Sequence, residues 1–207
     1  MDKAKSNLLQ LYPTPVYISK LESITKELKE LIVTEKYEVM YSGTATYTSN
    51  QQLLSEPAYK ILQEEIDAHV EHYVRDYLQV NPNQKFYMTN SWGVCMPQGS
   101  YANPHAHTNS LISGCFYLNS DTNFGSFNIN RNYDNIFTST LCPEFTEYTT
   151  INSGSYSIQP EEDMIILMPS LVIHAVSPNQ STNSRYSVAF NYFANGIFGR
   201  KESYLEL

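Results

Sequence analysis

The apolar positions follow a helical period before about residue 85 and a strand-like pattern after it. A capping-box sequence, Ser-Lys-Leu-Glu at residues 19–22, precedes a first apolar stripe. That stripe consists of Ile24, Leu28, Leu31 and Ile32. A second, longer stripe begins after Pro57, spans residues 59–78 and stops at the Asn-Pro-Asn of residues 81–83. Both stripes predict amphipathic helices, and a sheet is the obvious partner for their apolar faces.

After residue 85, short apolar runs alternate with turn residues, which is typical of β-strands. The predicted strands cover residues 92–96, 111–118, 124–129, 155–158, 164–168, 171–176 and 185–193. Two helices followed by such a series predict an α+β fold, a sandwich or barrel with the helices on one outer face. We expect one domain over residues 1–207, with a mainly helical layer (1–84), a β core (85–195) and a C-terminal tail (196–207).

The last predicted strand has two unlike faces. One face is bulky and apolar, formed by Tyr186, Val188, Phe190 and Tyr192. The other is small and polar apart from a single cation, and consists of Arg185, Ser187, Ala189 and Asn191. A polar inner face is costly to bury unless it contacts a ligand or water, so this alternation is a functional signal.

Charge and composition narrow the function classes. A net charge of −8 in 207 residues argues against nonspecific binding to nucleic acid or to an anionic membrane. No apolar run has the length of a signal-peptide core or a membrane span. Three cysteines, Cys95, Cys115 and Cys142, are an odd number without paired spacing, so a disulfide framework is not expected and the cytoplasm is the simplest location.

Three histidines form the most informative constellation. His105 and His107 share a face if the segment is a strand, and His174 lies far downstream, before a turn. Imidazole suits Fe(II), Zn, Cu and Ni, so the histidines alone do not name the metal. Arg185 indicates which small molecule binds beside the metal. Its guanidinium binds a carboxylate through two parallel hydrogen bonds, and the Ser187 hydroxyl donates a third. A metal beside a carboxylate clamp is what 2-oxoglutarate requires.

At these residues the chain resembles the Fe(II)- and 2-oxoglutarate-dependent oxygenases, close to the prolyl-hydroxylase type. More narrowly, it is similar to a group of oxygenases from marine bacteria and their phages. The resemblance rests on residues 11–17, 95–107, 113–119, 169–174 and 185–187, together with Asn191. It implies a double-stranded β-helix, a jelly-roll or cupin-like barrel, that uses Fe(II), 2-oxoglutarate and O2 to hydroxylate a substrate with release of succinate and CO2.

The resemblance also implies roles for individual residues. His105 becomes the first metal ligand and His174 the distal one, while Arg185 and Ser187 hold the far carboxylate of 2-oxoglutarate. Tyr117 stands where related proteins carry a tyrosine that reaches the same carboxylate, and Tyr101 lines the pocket from the strand that leads to the first ligand.

His107 departs from the family pattern. The usual triad has two histidines and one carboxylate, and here a histidine occupies the carboxylate position, so we expect all three histidines to bind iron. Three other interpretations stay open. His107 contacts a metal ligand but not the metal, Asn109 is the third ligand, or the third position has no protein ligand, as in halogenating members.

Several features have simpler explanations. The pair His69 and His72 is expected on a solvated helix face, and Arg131 either touches the ligand or caps a turn.

Two rival functions stay open, a three-histidine dioxygenase that does not use 2-oxoglutarate and a non-catalytic barrel. The substrate is not predicted, although the long loop at residues 119–155 is placed to lie over the site, and the sequence leaves a homodimer open.

Overall fold

The computed structural model describes residues 7–39, 45–131, 144–200 and 202–207. Before residue 85 the elements are short strands, two α-helices, two 3-10 turns and one π-helical turn. They are β1 (Tyr17–Lys20), α1 (Lys26–Val33), β2 (Tyr37–Glu38), β3 (Thr46–Thr48), two 3-10 turns (Leu53–Ser55 and Pro57–Tyr59), α2 (Lys60–His72) and a π-helical turn (Tyr73–Tyr77). Within the described residues, no helix combines the length and the apolar character that crossing a membrane requires.

The rest of the described chain is built from strands. They are β4 (Lys85–Met96), β5 (Ala102–His105), β6 (Ile112–Tyr117), β7 (Phe127–Asn130), β8 (Ser155–Ile158), β9 (Met164–Pro169), β10 (His174–Val176), β11 (Arg185–Asn195), β12 (Ile197–Phe198) and β13 (Leu205–Glu206). A large sheet has the order β1-β9-β6-β11-β4-β3-β2, and a small sheet the order β5-β10-β7-β8. Strands β12 and β13 form a separate ribbon.

Side chains on the two faces of the large sheet pack into two different hydrophobic cores. On β9, Ile165 and Leu167 pack with Leu62 and Ile66 of α2. The residues between and beyond them, Ile166 and Met168, pack instead with Phe127, Ile129 and Ile158 of the small sheet. This period-2 division places the helices on the outer face of the large sheet and leaves its inner face toward the small sheet. The predicted arrangement of helices and sheet is thus confirmed.

The two sheets do not close into a barrel. Across the described residues, no strand of one sheet is hydrogen-bonded to a strand of the other. The predicted jelly roll is present as two facing sheets, and residues of both sheets line a cavity between them. The expected single domain with a separate helical layer stays a prediction.

Element boundaries differ from the sequence prediction for physical reasons. Helix α1 begins after Thr25, whose side chain accepts a hydrogen bond from the Leu28 N–H, so the capping box at residues 19–22 does not cap it. Ser19 lies in β1, where pairing with Ile165 of β9 gives its backbone a partner that a helix would otherwise supply. The π-helical turn after α2 rotates Tyr77 outward, and its side chain is 63% exposed.

Candidate metal and anion site

The small sheet brings the first and last histidines together. His105 ends β5, His174 begins β10, and the two residues are directly paired in the antiparallel ladder. His107 follows two residues beyond β5, where its backbone N–H donates to the Ser170 oxygen at 2.9 Å. His107 is therefore fixed by the loop that leads into β10 rather than by strand pairing.

The three imidazoles converge on one point. Ring centroids are 4.3 Å apart for His105 and His174, 5.1 Å for His107 and His174, and 5.4 Å for His105 and His107. One ring nitrogen from each residue lies within 4.8 Å of those from the other two. Three nitrogens at this separation suit a single ion with imidazole–metal bonds of about 2.0–2.1 Å. That an ion binds here stays a prediction.

Each imidazole has an oxygen acceptor at its Nδ1 atom. The Nδ1 of His105 lies 2.7 Å from the Asn103 carbonyl oxygen, and that of His174 lies 3.0 Å from the Val172 carbonyl oxygen. The Nδ1 of His107 lies 2.6 Å from the Asn191 side-chain oxygen. A carbonyl oxygen only accepts, so each Nδ1 carries the hydrogen and each Nε2 keeps a free lone pair for a metal.

Burial favours the neutral form of two of the candidate ligands. It lowers the pKa of His174 to about 4, because His174 is 5% exposed and the two neighbouring histidines also disfavour its cation. The pKa of His107 is lowered chiefly by burial as well, against the hydrogen bond to Asn191, which favours the charged form. A neutral imidazole is the form that binds a metal, so burial favours ligation.

Arg185 is a buried cation without a charged partner in the described chain. It is 3% exposed, and none of the ion pairs formed by described residues includes it. One Nη donates to the Gly125 oxygen at 3.0 Å and the other contacts the Met96 sulfur at 2.6 Å, while the buried Nε has no partner among the described residues. An unpaired buried guanidinium is costly, and an anionic ligand is what would compensate it.

The remaining predicted site residues differ in position. Ser187 and Tyr117 are buried cross-strand neighbours on β11 and β6, and the guanidinium carbon of Arg185 lies 5.6 Å from the Tyr117 ring centroid. Both line a cavity of about 110 Å³ that also contains Arg185 and all three histidines. Tyr101 is exposed and does not line this cavity, so the structure does not support its predicted role in the pocket.

The donor set fits a metal and a dicarboxylate. Three imidazole nitrogens converge in the cavity lining, and a buried arginine whose Nε has no partner among the described residues lines the same cavity. The arrangement can therefore hold an ion and a small anion together.

Other candidates lie outside this cavity. Arg131 is exposed and donates to the Ile151 oxygen at 2.6 Å, which is a turn contact. His72 is exposed and bonded to Asp76, whereas His69 is half-buried with its Nδ1 2.7 Å from the Tyr17 hydroxyl, so only His72 matches the solvated face. Asn109 is exposed with a positive φ of 57° and does not line the cavity. Cys142 and part of the loop at residues 119–155 lie outside the described residues.

Two residues that support His107 belong to the segments that carry the family resemblance, but sequence reasoning gave them no role toward His107. Asn191 accepts hydrogen bonds from His107 and, at 2.6 Å, from the Ser113 hydroxyl. The signal for Asn191 was its place on the polar face of β11, two residues beyond Ala189. Ser113 lies in the mainly apolar predicted strand at residues 111–118, where a serine by itself does not indicate a contact with His107.

Comparisons with known proteins agree with this geometry. The model of the family described as "Putative 2OG-Fe(II) oxygenase" matches residues 90–191, which include all three histidines and Arg185. No curated protein matches the chain.

Solved structures of similar fold were also found. HygX from Streptomyces hygroscopicus, with nickel and 2-oxoglutarate bound, gives a TM-score of 0.60 at 12% identity, covering 86% of this chain and 82% of that one. A Trichoplax adhaerens prolyl hydroxylase in complex with a hypoxia inducible factor peptide gives 0.57 at 15% identity, covering 86% and 83%. A Pseudomonas putida prolyl-4-hydroxylase gives 0.54 at 12%, covering 86% and 92%. At such identities the likeness shows the fold, a double-stranded β-helix.

Proposed function

This chain belongs to the Fe(II)- and 2-oxoglutarate-dependent oxygenases, and we propose that its three clustered histidines hold Fe(II) while Arg185 holds the far carboxylate of 2-oxoglutarate. When bound, Fe(II), 2-oxoglutarate and O2 supply the oxidation: 2-oxoglutarate yields succinate and CO2, and the two oxygen atoms enter succinate and the hydroxylated substrate. The family membership carries the reaction class, and the residues below are assigned from the geometry of the site.

His105, His107 and His174 offer neutral nitrogen ligands through Nε2, because each Nδ1 faces an oxygen acceptor. Three neutral ligands leave the ion its full charge of +2. This charge strengthens binding of an anionic cosubstrate compared with a site that contains a carboxylate. The departure at His107 is thus a ligand substitution that suits a dianion.

Arg185 and Ser187, which line the same cavity as the three histidines, orient the cosubstrate. The Nε of Arg185 is the free donor of a rigid fork, and Ser187 lies on the same face of β11. The buried Tyr117 ring lies 5.6 Å from the guanidinium carbon of Arg185 and lines the same cavity. The single observation that carries the proposal is this shared cavity, with three converging imidazoles and one unpaired buried arginine.

Metal titration followed by turnover tests the proposal. The wild-type chain is expected to bind one Fe(II) per chain and to consume 2-oxoglutarate in its presence. The replacement of both His69 and His72 by Ala is the matched control, since these are the other two of the five histidines and lie on α2. Iron binding without 2-oxoglutarate consumption favours the three-histidine dioxygenase, in which Arg185 binds a substrate carboxylate. A chain that binds no metal favours a non-catalytic barrel.

Location and assembly stay proposals. We place the protein in the cytoplasm, because Cys95 and Cys115 are free thiols and Cys95 is buried. A homodimer stays a prediction, and light scattering on the purified chain tests it.

A further inference from the structure

The three candidate ligands are oriented by acceptors of two kinds. For His105 and His174, the oxygen that faces Nδ1 is the backbone carbonyl two residues earlier in the chain, Asn103 and Val172 respectively. For His107, the residue two positions earlier is His105, and the acceptor is the side chain of Asn191, 84 residues along the chain. His107 is therefore the one imidazole of the three whose closest acceptor is a side chain.

The orientation of Asn191 is itself fixed. Asn191 is buried and lies directly opposite Asn90 in the ladder between β11 and β4. Its Nδ2 donates to the Asn90 Oδ1 at 2.9 Å, so its own Oδ1 faces His107 and the Ser113 hydroxyl. Turning the amide over would set its oxygen against the oxygen of Asn90 and lose this hydrogen bond.

Ser113 does not replace this acceptor. Its hydroxyl oxygen is 3.2 Å from the His107 Nδ1, whereas the Asn191 oxygen is 2.6 Å away. The hydroxyl hydrogen of Ser113 is shared between Asn191 and Ser170, at 2.6 and 2.8 Å. Loss of Asn191 would leave His107 with a longer contact to a hydroxyl that can donate as well as accept.

We propose that Asn191 is a positioning residue for His107: its amide oxygen holds the hydrogen on Nδ1 and thereby aims the Nε2 lone pair at the metal. The metal part of this inference rests on the proposed function. An amide acceptor, unlike a carboxylate, orients the ring without adding negative charge behind it, so the site keeps three neutral ligands. A side-chain acceptor also makes this one ligand separable by substitution from the other two.

Two substitutions at Asn191 and one matched control test the inference. Asn191→Leu removes the acceptor at similar size, and Asn191→Asp restores an acceptor oxygen. Asn128→Leu is the control, because Asn128 makes three side-chain hydrogen bonds, to Ser126, Ser157 and Ser177, from the neighbouring position to the cavity-lining Phe127. Thermal melts and circular dichroism establish that each variant folds, and Asn191→Ala replaces Asn191→Leu if the latter does not fold.

Nitrogen-15 NMR of the metal-free protein reports which ring nitrogen of His107 carries the hydrogen. Wild type, Asn191→Asp and Asn128→Leu are expected to keep it on Nδ1, and Asn191→Leu is expected to lose this preference. Zinc titration supplies the second readout. Asn191→Leu should weaken zinc binding by about 10- to 100-fold, as removal of an outer partner of a ligand histidine typically does. The Asp variant and the control should stay near wild type.

The same substitution in a His107→Ala background completes the cycle, and there Asn191→Leu should cause no further loss of zinc affinity. The inference is overturned if folded Asn191→Leu keeps the Nδ1 hydrogen and wild-type zinc affinity, or if its effect persists without His107. A wild-type protein that binds no zinc overturns the proposed function instead, and the NMR spectra then still decide whether Asn191 sets the tautomer of His107.

Discussion

Arg185 donates a hydrogen bond from its guanidinium to the backbone oxygen of Gly125 at 3.0 Å, and this carbonyl is the oxygen acceptor that the described chain gives it. The side chain begins β11, and Gly125 lies in the turn that leads into β7, so the contact joins the large sheet to the small one. A single carbonyl compensates little of a buried charge. The hydrogen bond to Gly125 therefore holds the Arg185 side chain in place, while its positive charge stays available to bind an anionic ligand.

Removal of this arginine should weaken cosubstrate binding specifically. Arg185→Ala is expected to reduce 2-oxoglutarate affinity by about 2–3 kcal/mol, or roughly 30- to 150-fold, because a charge-assisted pair is lost. Arg185→Lys should lose less, since the charge stays but the two-pronged geometry does not. Calorimetric titration of 2-oxoglutarate into the metal-loaded protein measures both.

The exposed Arg131 offers the matched control, and Arg131→Ala should leave the 2-oxoglutarate affinity unchanged. Iron affinity measured without cosubstrate should change little in all three variants. If Arg185→Ala also abolishes iron binding, Arg185 supports the fold rather than the ligand.

The same arginine should cost the ligand-free protein stability. Arg185→Met keeps the length and apolar stem but removes a buried charge with an unpartnered Nε. We expect the free energy of unfolding without 2-oxoglutarate to rise by about 1 kcal/mol or more, since an unsatisfied buried donor costs about 1–3 kcal/mol. Urea denaturation checks this. A Met variant less stable than wild type would mean that the contacts to Gly125 and Met96 outweigh the desolvation of the guanidinium.

More of the candidate site than of the surrounding fold could be predicted from the sequence. Period-2 alternation places Arg185, Ser187 and Asn191 on one face of a strand, and that face is the one that lines or supports the cavity. The convergence of His105 with His174 depends on the β5–β10 pairing, which no local pattern encodes. Only the relative order of residues, compared with a known family, suggested it.

Local signals failed where tertiary contacts compete with them. The capping-box sequence at residues 19–22 fits a helix start, yet Ser19 and Lys20 pair with β9 as a strand, and the helix begins only after Thr25. Leu31 fits the predicted apolar stripe of α1 but is 50% exposed, because the helix buries only Leu28 and Ile32 deeply. The acceptor of His107 was hidden for the same reason, since Asn191 reaches it across the sheet.

Gly125 should be needed both for the turn and for Arg185. A Cβ atom there would lie 1.8 Å from the Ser177 backbone oxygen, so Gly125→Ala forces the backbone to move. We expect a loss of about 3 kcal/mol or more in the free energy of unfolding, the upper end for overpacking, together with weaker 2-oxoglutarate binding. Gly154→Ala is the control, since a Cβ atom there meets nothing within 4 Å, and it should change stability by no more than about 0.5 kcal/mol. Equal stability of the two variants would refute the steric argument.

The histidine at the usual carboxylate position gives the sharpest test of the ligand set. His107→Asp should keep the fold and iron binding, because two histidines and one carboxylate are the common ligand set of such iron sites. His107→Ala should weaken iron binding by more than about 100-fold, since even an outer partner of a ligand is worth about 10- to 100-fold. Iron affinity is measured by competition with a chelator, and His72→Ala, on the exposed face of α2, should match wild type.

The 2-oxoglutarate affinities of wild type, His107→Asp and His107→Ala distinguish a His107 that binds the metal from one that only lies near it. His107→Asp adds a negative charge to the metal site and should therefore bind the dianion more weakly than wild type while it retains iron. His107→Ala should regain part of its cosubstrate affinity once iron is saturated, because its site is as positive as that of wild type. Equal iron affinity in wild type, Asp and Ala variants would show that His107 is not a ligand. Its contact with Asn191 would then be a packing feature of the loop after β5.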